Sequence, residues 1–513
     1  MGARDITTRR HSIYTSRYVQ VLNNRLAIDG GRPYINARLQ RAPNETDVSW
    51  NGSKEDGVVG RRERACLVND AGRIATKINQ YLFKTKATRK NATPEFIDNV
   101  NGEHQTVDRF MEDVSTAITA AGWCWLQVDR NPQKLDAQGK PVPYTEKTAK
   151  ENPVRWRLWD ALDVTDWHID DSGEITWLIT RAVKRIDADP YKEAKDVTIY
   201  TLYHRDNDGK VYITEKANKT ADGLELRTKQ VIPGLKKVPF VLVGNPSAKP
   251  HWFDDVENIQ CQILNLDSLH NETLTNGVYP QLIVPYSMLQ ALDVDLKLEK
   301  VGGKERIKLQ RELIKGRSNP LWEDTEDQGT TRYIQPNAGD LAQIVNEANR
   351  KRGLLFDMAG LSLFNKETRQ IQTAESKQFD QLDTNSTLGH RALILQAAEK
   401  ALVEMSRMFD GTFKVWDPVY PVKFDVIDTN ALSGTLDVIA NLPDVPPIIK
   451  KMVLKAALRI IREVGGCDDD TFAEAEKKID EMPEENMEAE PMPDLFAGRK
   501  SKQGKGGEPP DDE

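Results

Sequence analysis

The sequence predicts an α+β protein, and three observations carry that reading. The first 120 or so residues place apolar side chains at helical spacing, the stretch from Trp123 to Val243 breaks into short β-type runs, and from Pro250 the helical period returns. The chain has 513 residues, 39% hydrophobic and 29% charged, enough to bury a sizeable core and long enough for about three domains.

Within residues 9–28, YTSRYVQVLNNRLAI reads as a short amphipathic helix ended by Asp29-Gly30-Gly31. A polar loop is expected from Ala42 to Gly60. Arg62 to Phe83 then reads as one helix with Ala65, Val68, Ala71, Ile74, Ile78 and Leu82 on one face. Pro94, followed by Glu95 and Asp98, opens a third helix that ends near Gly122.

After Trp123 come WCWLQVD, RWRLWDALDVTDWHI, EITWLITRAVKRI, DVTIYTLYHR, KVYITEK, LELRTKQV and VPFVLVG, rich in Trp, Tyr, Val, Ile and Thr. Turn signals such as Asp171-Ser172-Gly173 and Asp206-Asn207-Asp208-Gly209 separate them, which predicts an antiparallel meander.

Pro250 to Gly277 is expected to be helical, capped by Asp254 or Asp255, with Val256, Ile259, Ile263, Leu266 and His270 as its stripe. Gln260, Gln262, Asn265, Asp267, Asn271 and Asn276 give it an amide-rich opposite side. An insertion follows, opening on an apolar strand at Gln281 to Val284, with a charged helical piece from Arg306 to Lys315. Another amphipathic helix runs from Ala338 to about Ala359, with Leu341, Ile344, Val345, Ala348, Leu355 and Met358 on its face. Next comes the longest candidate, Ala374 to Phe409. Its stripe is Leu388, Ala392, Leu395, Ala398, Leu402, Met405 and Phe409, with Arg391, Glu399, Lys400, Glu404 and Arg407 on the wet sides. At about 1.5 Å per residue this helix would be roughly 50 Å long, apolar at one end and polar at the other. A β segment, TFKVWDPVYPVKFDVID, and a helical unit starting at PPIIKK close the folded part.

From Met482 onward nine acids and four bases give a tail of charge −5, against −3 for residues 1–481 of a net −8, and that tail is expected to be disordered. A near-neutral, slightly acidic body is not that of a tight nucleic-acid binder. The N-terminal stretch has no apolar h-region, and no apolar run approaches the about 20 residues of a membrane helix. The four cysteines, Cys66, Cys124, Cys261 and Cys467, form no C-x-x-C pair and read as reduced, mostly buried thiols.

Catalytic motifs are scarce. GKGG at residues 504–507 lies in the tail, with no strand before it, and neither G-x-S-x-G nor H-E-x-x-H occurs. Asp166, His168 and Asp170 alternate on one strand face, a spacing that can present metal ligands to a nucleic-acid enzyme. Asp170-Asp171-Ser172-Gly173 is also an ordinary hairpin turn, and Trp167 and Ile169 on the opposite face account for the strand; this is the preferred reading, so neither a metal nor a cofactor is expected and no enzyme activity is inferred. The basic run Arg350, Lys351 and Arg352, with Lys366 and Arg369 in the following loop, could touch phosphates or simply offset a helix C-terminus.

The order of elements, through VPFVLVGNP into FDDVENIQCQILNLDSLHNETLTNG and then ETRQIQTAESKQFDQLDTNSTLGHRALILQAAEKALVEM, resembles that of the tailed-bacteriophage portal proteins over nearly the whole chain. The resemblance implies a wing at 1–250 (helical, then antiparallel strands), a first stem helix at 251–276, a clip at 277–337 and a second stem helix at 338–360. A tunnel loop at 361–373, a long wing-spanning helix at 374–409, wing strands at 410–429, an α-helical crown at 430–481 and an acidic tail at 482–513 would follow. It implies a homo-oligomeric ring, in the family usually a dodecamer, at one capsid vertex of the virion, assembled in the host cytoplasm. Its partners would be double-stranded DNA held without sequence preference, the terminase large subunit, major capsid and scaffold proteins, and head–tail adaptor or tail proteins, with no membrane. Lys366, Arg369, Arg350, Lys351 and Arg352 become candidates for the DNA channel. Leu388, Leu395, Leu402 and Met405, with Ile259, Ile263, Leu266, Leu341 and Ile344, become candidates for packing between copies, since helices so extended would not bury their stripes within one subunit. A head–tail adaptor is the competing structural reading.

Overall fold

The computed structural model describes residues 5–43, 45–53, 58–130, 153–186, 195–218, 226–232, 235–278, 281–285, 298–301, 304–307, 321–323, 332–334, 339–360, 374–421, 424, 451–452, 454–458 and 469–481. The chain divides into two units, Met1–Phe424 and Asp425–Glu513.

Helix α1 (Ser12–Asp29) starts where the His11 imidazole accepts the Ile13 N–H at 3.2 Å, and stops at Gly30, whose φ of +68° suits glycine. Helix α2 (Gly31–Arg38) follows at once. The expected polar loop holds a short helix, α3 (Asp47–Asn51), and a hairpin of β1 (Gly52–Ser53) with β2 (Val58–Val59). Where the sequence predicts one helix from Arg62 to Phe83, there are two, α4 (Arg61–Arg64) and α5 (Asp70–Leu82). Asn69 causes the break, because its side chain accepts the Gly72 N–H at 2.8 Å and so caps a new helix. The third expected helix is split for the same reason. β3 (Thr88–Arg89) leads to α6 (Pro94–Asp98), and Thr106 then caps α7 (Val107–Ala121), which ends at Gly122 with φ +87°.

The strands form two main sheets, not a single meander. β6 (Val164–Ile169), β7 (Ile175–Ile186), β8 (Lys195–Arg205), β9 (Val211–Ala217) and β10 (Gln230–Ile232) make an antiparallel five-stranded sheet in sequence order. β11 (Phe240–Gly244) instead returns to β4 (Trp123–Asp129), which pairs on its other edge with β5 (Arg155–Trp159). β4 is buried on both faces because it separates two cores. Cys124, Leu126 and Val128 face a core shared with α2, α5 and α7, while Trp123 and Trp125 face one shared with α1 and the five-stranded sheet.

Beyond these sheets come α8 (Trp252–Val278), then β12 (Gln281–Pro285), β13 (Leu298–Val301), β14 (Lys304–Ile307), β15 (Leu321–Glu323) and β16 (Arg332–Ile334). β12 lies between β15 and β16, and β13 pairs with β14. The charged piece expected to be helical from Arg306 therefore begins as a strand; residues 308–320 lie outside the described residues. α9 (Gly339–Met358) and α10 (Ala374–Phe409) follow, and β17 (Pro418–Val419) pairs with β3. In the second unit, residues 454–458 and α11 (Asp469–Glu481) are helical, joined by a 2.6 Å ion pair from Lys455 to Asp480, with Ala457 and Ile479 buried. The expected tail, 482–513, lies outside the described residues.

Candidate functional site

The candidate site is the junction of α8, α9 and α10. Helix α8 enters through a cap in which the His251 N–H donates to Asp254 at 2.8 Å. Asp254 also takes a two-point ion pair from Arg17, at 2.5 and 2.9 Å, and a 2.8 Å bond from Asn24. Burial opposes its charge, but the Arg17 and Asn24 hydrogen bonds hold its carboxyl below the usual range. One turn on, the fully buried Glu257 pairs with Arg38, whose Nη2 donates to it at 3.1 Å, and accepts from the Tyr34 hydroxyl at 3.1 Å. Burial and that carboxylate push the Tyr34 phenol far up.

The amide side of α8 is not wholly a wet face over its first half, although Gln262 is exposed. Gln260 is fully buried; its side-chain oxygen accepts the N–H groups of Asp70 and Ala71 at 3.1 and 3.0 Å, and its NH2 donates to the Val68 carbonyl. It thereby caps α5 from another helix. Asn265 accepts the Gln40 N–H at 2.8 Å. Only toward the C-terminal end does α8 leave the core, with Leu269 49% and Leu274 38% exposed.

The basic run on α9 is divided in purpose. Arg350 is exposed and paired with Glu347 on its own helix at 2.7 Å. Lys351 bonds Gln262 of α8 at 2.6 Å, and Arg352 bridges Asp267 of α8 at 2.5 Å and Asp70 of α5 at 3.5 Å. Lys351 and Arg352 therefore clamp α9 to its neighbours, since the carboxylates and amides facing them lie on the same chain. Lys366 and Arg369 lie outside the described residues.

The stripes expected to meet other copies are largely covered by the chain itself. Leu388, Leu395, Leu402, Ile259 and Ile263 are all buried in the first core, and Met405 packs against it. Helices as extended as α8 and α10 are expected to leave their seams open, but α5, α7, β4 and β5 close over them. Leu266, Leu341 and Ile344 are half-buried. A second correction concerns Glu399, expected on a wet side of α10. It is fully buried and accepts from Arg89 at 2.7 and 3.0 Å, Trp416 at 2.8 Å and the Tyr420 hydroxyl at 2.6 Å. Arg391, also expected to be wet, donates to Thr119 at 2.7 Å and lies over the Trp252 ring; burial lowers its pKa to about 10, still cationic at neutral pH.

Asp166, His168 and Asp170 each have separate work. Asp166 pairs with Arg9 at 3.0 Å, His168 bonds Thr176 at 2.8 Å, and Asp170 accepts from Ser172 and Glu174 in the turn. Among the described residues no three His, Cys, Asp or Glu side chains are placed to hold a metal ion. Cys124 and Cys261 are buried thiols, and Cys66 is exposed. No helix among the described residues is long and apolar enough to cross a membrane.

Helical periodicity missed Glu257, Gln260 and Glu399. Their one visible signal was a polar residue beside the apolar stripe in a region dense with Arg, Tyr and Trp.

No protein-family model matches the chain, and no curated protein does. Among solved structures, it is similar to a chain in the neck of an empty gene transfer agent (GTA) particle, at 10% identity and TM-score 0.35, covering 73% of this chain and 86% of that one. A chain from the virion of a native GTA particle matches at 10% identity and TM-score 0.34, covering 82% and 93%. A chain from the neck of a native GTA particle matches at 8% identity and TM-score 0.33, covering 81% and 95%. At such scores the likeness does not establish a shared fold.

Proposed function

We propose that this chain is the subunit of a portal-type ring, a conduit through which double-stranded DNA enters and leaves a viral head. The observation that carries the reading is an arrangement within one unit. Two helices clamped side by side, α8 and α9, flank a β insertion, and a helix of 36 residues then runs into the mixed core. A stem, a clip and a spanning helix in that order suit a protein that lines a passage with helices and offers a small sheet to partners. In this reading 1–250 and 410–429 are wing, 277–337 clip, 361–373 tunnel loop and 430–481 crown. A terminase, capsid and scaffold proteins, and head–tail proteins would be the partners, and the role is structural, without catalysis.

Because the deep seams are covered, contacts between copies fall instead to exposed apolar residues: Leu269 and Leu274 on α8, and Val345, Leu354 and Met358 on α9. Electron microscopy of the purified protein tests the reading directly. An open ring is expected; a solid hub or a lone subunit at assembly concentrations contradicts it. Lys366 and Arg369 keep their place in the proposal as cations touching the passing duplex. Replacing both by Ala should leave the ring intact and alter DNA packaging or ejection, and normal packaged DNA and infectivity would refute that assignment.

A further inference from the structure

One face of the five-stranded sheet is core: Trp167, Leu178, Tyr203 and Ile213 stand opposite one another across β6 to β9 and are all buried. The neighbouring register line must point to the other face. It reads His168, Trp177, His204 and Tyr212, each paired with the next. His168 and His204 are exposed, Trp177 and Tyr212 half-buried. With strands about 4.8 Å apart, the four rings span about 15 Å. The His168 ring is nearly parallel to that of Trp177, 16° between planes at 6.2 Å.

The chain's own cations already use this row. The Arg9 guanidinium lies 4.4 Å from the centre of the Trp177 ring while pairing with Asp166, and the Lys229 ammonium lies 5.4 Å from the centre of Tyr212. Carboxylates gather at the end of the row where the hairpins turn. Asp170 and Glu174 are matched by Arg205 and Lys237, whereas Asp171 and Asp208 are exposed. Asp206, two residues beyond His204 on the same strand face, hydrogen-bonds Tyr212. Aromatic faces that accept cations, bordered by carboxylates, are complementary to positive charge and unfavourable for a polyanion.

We propose that the row His168–Trp177–His204–Tyr212 is a docking platform for an extended, arginine- or lysine-bearing segment of a partner protein. The partner's cations stack on the rings as Arg9 and Lys229 do, and Asp171 and Asp208 draw them in. The platform is independent of the ring proposal.

Fluorescence anisotropy of a labelled hexa-arginine peptide on the full chain tests this. Saturable binding is expected, weakened severalfold by His168→Ala with His204→Ala, which remove the two exposed rings of the row. Asp171→Asn with Asp208→Asn, which leaves every ring in place, should weaken it by a smaller factor, and Arg9→Ala should strengthen it by vacating Trp177. The acidic tail could also take up the peptide, so only binding sensitive to these variants supports the platform. Absence of saturable binding, or affinity unchanged in both double variants, overturns the proposal. So does a labelled oligothymidine whose binding depends on the same residues, which would make the row a base-stacking surface instead.

Discussion

Glu399 shows how a single buried carboxylate holds distant parts of the chain. Four donors from Arg89, Trp416 and Tyr420 converge on it, and the Arg89 side chain is itself only 6% exposed. Glu399→Ala would leave a buried guanidinium with Asp108 as its remaining carboxylate, at 2.6 Å. Breaking one partner of such a pair costs about 3–5 kcal/mol, and that loss is expected in urea unfolding of the variant. A cost under about 1 kcal/mol would mean that water replaces the carboxylate. His251 makes a second prediction, on pH. Burial lowers its pKa from 6.5 to about 4, despite the opposing Asp254 charge. Between those values the folded state binds fewer protons than the unfolded chain. The stability contributed by neutral His251 is therefore complete above about pH 6.5 and lost as the pH falls toward 4. His251→Asn retains a capping side chain without the titration. Subtracting its stability curve from that of the native protein should isolate this slope from the opposite one of the buried Asp70 and Asp267, whose pKa values burial raises. A flat difference between pH 4 and 6.5 would show that the imidazole is hydrated in the folded protein.

Among the helices, α5 is the one whose beginning depends most on another element. Its first two N–H groups are satisfied by Gln260 of α8. Gln260→Leu keeps much of the side-chain volume but strands the Ala71 N–H, at about 1–3 kcal/mol for the group left unsatisfied, while the Asp70 N–H and the Val68 carbonyl keep their mutual 3.0 Å bond. Hydrogen exchange at Ala71 should accelerate well beyond that of the last turn of the same helix; equal acceleration at both ends would show that the loss is global. This dependence also explains what the sequence could convey. Elements with a local cause were legible: α1 with its glycine stop, α7 ending at Gly122, the Trp- and Val-rich strands, and the full span of α10. The break at 65–69 was not, because the apolar period runs through it and the decision belongs to the Asn69 cap and a glutamine 190 positions away. Nor was the second sheet, since β11 skips the meander to pair with β4. The candidate site was legible as helices but not as surfaces. A hydrophobic stripe tells which way a helix leans, and it is silent on whether polar neighbours such as Glu399 or Arg352 meet water or a partner brought from far along the chain.

At the scale of the whole molecule, the ring proposal must find its contacts on what the fold leaves uncovered. Leu388, Leu395 and Leu402 are unavailable, since each is no more than 1% exposed within the chain. Leu269 on α8 and Leu354 on α9 are 49% and 40% exposed on two helices that are clamped together, so a neighbouring copy could bury both without unfolding anything. Heterologous contacts of this kind close into a ring only when every copy uses the same pair of surfaces, so polar substitutions there should act on all contacts at once. Leu269→Lys with Leu354→Lys is expected to convert the native assembly into species of about 58.0 kDa by native mass spectrometry. Both side chains already meet water, so the far-UV circular dichroism of the separated subunits should match that of the native chain. Leu393→Lys with Met408→Lys, at the 53% and 47% exposed positions on α10, provides the comparison. If that pair dissociates the ring and the first does not, neighbouring copies meet along the long helix instead. If neither changes the mass and the native chain itself runs as a single subunit, the exposed leucines serve no assembly and the conduit reading fails with them.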